Sequence, residues 1–132
     1  MPSLWPQTLL VVDDVERSSR FYCDLLGLRS GHGGDEYEQL LHDDELVLQL
    51  HSSAVDHHHD ALADPDVARG NGVLVWFEVD DFEGALDRVR ATGAPIERDA
   101  ELNPNAQQWE VWVRDPDGYS VVIAGPTPYR PR

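Results

Sequence analysis

Two strand-like runs each carry a tryptophan two residues from a glutamate. The first is Leu74-Val75-Trp76-Phe77-Glu78 and the second is Gln108-Trp109-Glu110-Val111-Trp112. A spacing of two puts Trp76 with Glu78, and Glu110 with Trp112, on one face of a strand. An indole face attracts planar and cationic groups, at about 0.5–2 kcal/mol per cation–π contact. A carboxylate taken out of water costs several kcal/mol unless a positive partner arrives. It therefore favours a bound cation, or it takes up a proton and serves as a general acid–base group. Gln7 adds a polar side chain at the start of the apolar run Thr8–Val12. His57, His58 and His59 are consecutive, so their side chains diverge, and they read as a solvated loop. Cys23, beside Tyr22 with no basic neighbour, reads as a small hydrophobe rather than an activated thiolate.

An internal repeat must position these residues. Val12-Asp13-Asp14-Val15-Glu16 recurs 67 residues later as Val79-Asp80-Asp81-Phe82-Glu83. Each copy follows an apolar stretch and precedes a helical pattern. In each, an Asp stands three residues before a Glu (Asp13 to Glu16, Asp80 to Glu83), the spacing of a capping box. Ser18, Phe21, Tyr22, Leu25 and Leu26 form one helical face that stops at Gly27; Phe82, Ala85, Leu86 and Val89 form the other, which stops at Gly93. Strands are expected at Arg29–His32, Glu36–His42 and Glu45–His51, and again at Pro95–Ala100, Gln108–Arg114 and Ser120–Ala124. Asp43-Asp44, Asn103-Pro104-Asn105 and Asp115-Pro116-Asp117-Gly118 supply the turns. The expected organisation is α+β: one domain over 1–132, with βαβββ modules over about 4–51 and about 72–126. A polar linker over about 52–71 has room for a short helix. Alternation places Thr8, Leu10 and Val12 under the first helix, with Gln7, Leu9 and Val11 on the opposite face. Val73, Val75, Phe77 and Val79 lie under the second helix, with Leu74, Trp76 and Glu78 opposite.

The 132 residues suit one compact domain, and 41% hydrophobic with 27% charged residues is an ordinary globular composition. No apolar run approaches the ~20 residues of a membrane span, and Met1–Pro6 has no secretory pattern. The single cysteine excludes an intrachain disulfide framework and a cysteine zinc site, and it fits a reducing cytoplasm. Ten basic against 25 acidic residues give a formal net charge of −15. Such a chain repels nucleic acid, whereas a cationic ligand would be drawn to it.

The run Val12–Tyr22, followed by Leu25-Leu26-Gly27-Leu28, resembles the opening of the vicinal oxygen chelate superfamily. This superfamily includes glyoxalase I, the extradiol dioxygenases, and the fosfomycin and bleomycin resistance proteins. Asp115-Pro116-Asp117-Gly118-Tyr119, leading into Ser120-Val121-Val122-Ile123, resembles its closing hairpin. The resemblance implies paired βαβββ modules whose curved sheets form a cleft, usually in a homodimer. In metal-dependent members, four side chains hold a divalent cation. Those positions fall here on Gln7, Gln49, Leu74 and Val122. Leucine and valine have no lone pair, and two neutral amides would not compensate the dehydration of a dication. The inherited metal site is therefore expected to be absent, and no cofactor is expected.

The same resemblance points Glu110 and Trp112 inward. The candidate ligand-binding set is then Gln7, Gln49, Trp76, Glu78, Glu110 and Trp112, with Glu110 as the candidate catalytic group. One expectation is a metal-independent protein that binds a small, cationic or aromatic molecule, in the manner of the bleomycin resistance members. The other is a lyase or isomerase of the glyoxalase kind. It would use either a divalent metal held by a different donor set (Gln7, His51, Glu78, Glu110) or acid–base chemistry at Glu110.

Overall fold

The computed structural model describes residues 6–54, 64, 66–70 and 73–129. The chain divides into two compact units, with the boundary between Ala68 and Arg69. Each unit is a four-stranded mixed sheet with one helix, so the expected α+β class and the βαβββ order both hold.

In the first unit, β1 (Leu9–Val12) leads to α1 (Val15–Leu26), then β2 (Arg29–Ser30), β3 (Tyr37–His42) and β4 (Glu45–Ser52). The strand order is β1-β4-β3-β2, with β1 parallel to β4 and the others antiparallel. Only the crossover through a helix allows that parallel pair. Leu10, Val12, Leu40, Leu48 and Leu50 form a buried face, and Val15, Tyr22 and Leu25 are the buried apolar side chains of α1. Val11, expected on the opposite face, is buried as well, and Thr8, expected under the helix, precedes β1 and is exposed. The β3–β4 hairpin turns at Asp43-Asp44, both at positive φ (48° and 66°), as a two-residue primed turn requires.

In the second unit, β5 (Leu74–Glu78) leads to α2 (Phe82–Thr92), then β6 (Ile96–Asn103), β7 (Gln108–Arg114) and β8 (Ser120–Ala124). The order β5-β8-β7-β6 repeats that of the first sheet, with β5 parallel to β8. Val75, Val111, Val113, Val121 and Ile123 are buried, as are Ala85 and Val89 of α2. Phe82 lies against Trp109, with ring centroids 6.4 Å apart. The alternation read from β5 holds where Val75 is buried and Trp76 is 43% exposed, but Val73, expected under the second helix, precedes the strand and is exposed.

Both helices end at the expected glycines, Gly27 and Gly93, at φ of 70° and 69° in the left-handed region that glycine enters at little cost. Their N-caps sit one residue later than the capping-box reading. Asp14 accepts from the Arg17 amide and Asp81 from the Gly84 amide. Asp13 instead accepts the Ser53 hydroxyl at 3.0 Å. The second Asp of each pair is the non-helical residue immediately before the first helical turn, so it takes the cap. β2 is shorter than expected, ending at Ser30. β6 runs on through Asn103, which was expected in a turn. The linker helix and His57–His59 lie outside the described residues.

Candidate functional site

The helix-free face of the second sheet carries one continuous row of side chains. Trp76 pairs with Val122, Val122 with Trp112, and Trp112 with Arg98, across β5, β8, β7 and β6. The neighbouring row holds Glu78, Ala124, Glu110 and Glu101 in the same way. Trp76, Arg98, Glu101, Asn103, Glu110 and Trp112, with Leu102 and Pro104, line a hollow of about 300 Å³. Three of the six expected ligand-binding residues, Trp76, Glu110 and Trp112, thus share one hollow. Glu78 stands on the same face two residues beyond Trp76, half-buried and outside the lining.

Glu110 is the chemical centre of this hollow. It is only 6% exposed. One carboxylate oxygen accepts from Asn103 Nδ2 at 2.8 Å and the other from Trp112 Nε1 at 3.1 Å. Both donors are neutral, so they satisfy its lone pairs without cancelling its charge. Asn103 is fixed in turn, because its Oδ1 accepts from the Asn105 and Ala106 amides at 3.0 and 3.3 Å. Directly across the strand pair stands Glu101, and like charges in that position oppose pairing. Glu101 reaches instead to Arg98 at 3.2 Å. The Arg98 guanidinium lies 4.6 Å from the Trp112 ring centroid. Arg114, two residues beyond Trp112, is engaged elsewhere, with Glu97 at 2.7 Å and the Gly118 carbonyl at 2.6 Å.

Sequence reasoning missed Arg98, Glu101 and the role of Asn103. Arg98 and Glu101 are three apart, which in a regular strand puts them on opposite faces. The β6–β7 register shifts between Ile96 and Arg98 and again between Arg98 and Glu101. The second irregularity turns Glu101 onto the face of Arg98, and period-two counting has no means of anticipating a bulge.

Gln7 and Gln49 belong to the first unit. The Gln49 amide is engaged at both ends: Oε1 accepts from the Tyr37 hydroxyl at 2.6 Å, and Nε2 donates to the Gln7 carbonyl at 3.0 Å. Gln39 Nε2 donates to the same Tyr37 oxygen at 3.1 Å. Gln7 is exposed and lines a separate hollow of about 400 Å³ with Pro6, Glu45, Leu46 and Val47.

The inherited metal positions can be tested on their side-chain chemistry. Val122 is fully buried between Trp76 and Trp112 in the ladder. Leu74 pairs with Ser120 at the start of β5. Hydrocarbon at two positions and a committed amide at a third do not fit a divalent cation. Of the alternative donors, His51 directs Nδ1 to the Ser52 carbonyl at 3.2 Å. Among the described residues, no group of three or more His, Cys, Asp or Glu could hold a metal ion. Cys23 is half-buried; burial pushes its thiol above the ordinary value, a hydrogen bond with Ser19 opposes this, and the charges of Glu38 and Asp24 add to the rise. It is not an activated nucleophile.

A model of the Glyoxalase/Bleomycin resistance protein/Dioxygenase superfamily matches residues 5–123. The chain belongs to that superfamily. Among characterised members, it is 30% identical to the lactoylglutathione lyase of Haemophilus influenzae over 124 residues, covering 86% of each chain. The superfamily fold is equally clear in solved structures. The lactoylglutathione lyase of Agrobacterium tumefaciens superposes with a TM-score of 0.70 at 26% identity, covering 95% of each chain. A glyoxalase-related enzyme from Fulvimarina pelagi superposes with a TM-score of 0.74 at 20% identity, over 95% of this chain and 89% of its own. No helix among the described residues is long and apolar enough to cross a membrane.

Proposed function

We propose that this superfamily member binds a small, planar, cationic molecule in the hollow of its second unit, and does so without a divalent metal. The observation that carries this reading is Glu110: a buried carboxylate whose hydrogen-bond partners, Asn103 and Trp112, are both neutral. A ligand cation supplies the missing charge, and the 43% exposed face of Trp76 offers a stacking surface beside it. The hydrocarbon at Leu74 and Val122 supports metal independence. The net charge of −15 supports attraction of a cation from solution, weakening as salt is added. Glu78, on the same face of the sheet as Trp76, joins the proposed ligand-contacting set. The same reading takes the protein as a cytoplasmic homodimer with neither nucleic acid nor membrane as partner.

Titration with N-methylacridinium, a planar fixed cation, tests this by tryptophan fluorescence. Saturable quenching is expected at low salt, much reduced in Trp76→Phe, and roughly tenfold weaker affinity is expected at about 0.5 M salt. Equal quenching by neutral acridine, or no quenching at all, would overturn the reading.

The kinship to lactoylglutathione lyases favours a second reading, a lyase or isomerase of the glyoxalase kind. It needs either a divalent metal or acid–base work by Glu110 alone. Turnover of lactoylglutathione that is lost with chelator, or lost in a folded Glu110→Gln variant, would establish it.

A further inference from the structure

Arg98 is the one cation among the described residues that line the hollow of the second unit, and its guanidinium is stacked 4.6 Å from the centroid of Trp112. Resting on the reading above, we infer that Arg98 is a built-in competitor: it occupies the indole face that a cationic ligand would use, and the ligand binds by displacing it.

Three features fit Arg98 to that role. Among the described residues its ion-pair partner is Glu101 at 3.2 Å, with both side chains more than half exposed, and such a pair holds weakly. The register of β6 against β7 shifts on both sides of Arg98, so the ladder is irregular where this residue must move. Glu110, the deep anion of the hollow, accepts from Asn103 and Trp112 rather than from Arg98, so displacing Arg98 strips no hydrogen bond from it. The arrangement also sets specificity. A neutral aromatic gains stacking but leaves Glu110 uncompensated, whereas a cation recovers the lost cation–π contact and neutralises Glu110 as well. The released guanidinium keeps Glu101 as its partner.

The inference gives an expected sign opposite to that of an ordinary lining residue. Arg98→Ala should bind N-methylacridinium about three- to tenfold more tightly than the unaltered protein, the equivalent of one exposed cation–π contact with part of an ion pair. Arg90→Ala removes the same charge from α2, outside the hollow, where Arg90 meets Asp99 at 3.4 Å. It should change the affinity less than twofold, which separates displacement from the general rise in negative potential. Arg98→Lys, which keeps a cation for Trp112, should stay near the unaltered value. If the unaltered protein binds the probe but Arg98→Ala binds no more tightly than Arg90→Ala, the competitor role is overturned while the binding reading stands. If neither the unaltered protein nor Arg98→Ala binds, both are overturned.

Discussion

Replacing Glu38 with glutamine is expected to lower the stability of the protein by about 2–4 kcal/mol, the largest stability effect of any conservative substitution considered. Glu38 is 3% exposed. One carboxylate oxygen accepts the Ser19 and Ser30 hydroxyls at 3.0 and 2.8 Å. The other accepts the amides of His32, Gly33 and Gln39 at 3.1, 2.7 and 3.0 Å. A single side chain thus ties α1, β2 and the loop before β3 together. An amide NH2 at the first oxygen's place turns the two hydroxyls from donors into acceptors, and at the second it faces three backbone amides that can only donate; in either orientation the charge-assisted bonds become neutral ones. Burial is the largest single influence on the Glu38 carboxyl and pushes it up. The bonds from Gly33, Ser30, His32 and Ser19 together outweigh burial and hold the group below the ordinary glutamate value. The native state therefore binds this proton less readily than the unfolded chain. The stabilisation is fully present above the ordinary value and is lost as pH falls through the depressed native one. Urea unfolding should show the gap between the unaltered protein and Glu38→Gln narrowing from about pH 6 to about pH 3. Glu36→Gln, at an exposed position, should shift the midpoint little at any pH. A Glu38→Gln variant as stable as Glu36→Gln would remove the hub role.

The second large effect concerns ligand. Glu110→Gln should weaken binding of N-methylacridinium about ten- to a hundredfold, matching the ~1.5–3 kcal/mol of a charge-assisted contact in a shielded site. The structural side of this substitution is separable. Asn103 cannot turn its oxygen toward position 110, because Oδ1 is held by the amides of Asn105 and Ala106. One new NH must therefore face Asn103 Nδ2 or Trp112 Nε1, with a stability loss of about 1–3 kcal/mol. Calorimetric titration at low salt, on protein whose fold is checked by near-ultraviolet circular dichroism, separates the two. An intact Glu110→Gln protein that binds the probe as tightly as the unaltered one would show that Glu110 does not supply the counter-charge.

These two carboxylates mark where the sequence was legible and where it was not. The repeat of Val12–Glu16 at Val79–Glu83, the caps at Gly27 and Gly93, and the alternation in β5 are local signals. Each depends on residues a few positions apart, and each was realised in the structure. Trp76 was found by alternation in β5; for Glu110 and Trp112 a spacing of two put them on one face, and the family resemblance chose which face it was. Glu38 gave no such signal. In Tyr37–His42 it alternates with polar and apolar residues alike, and its value comes from donors on α1 and in the loop over 30–33, contacts that only tertiary structure creates. Arg98 and Glu101 were hidden by a register shift. The helix caps were misplaced by one residue because the paired aspartates offer two candidates and only backbone geometry chooses between them.

Metal-free recognition of a cation at Glu110 is tested most directly by calorimetric titration of untagged, chelator-treated protein with N-methylacridinium, repeated after adding back Ni²⁺, Zn²⁺ or Mn²⁺. Saturable binding of the same affinity before and after metal addition is the expected result. Binding that appears only once a divalent ion is restored, with that ion held in stoichiometric amount, would contradict it.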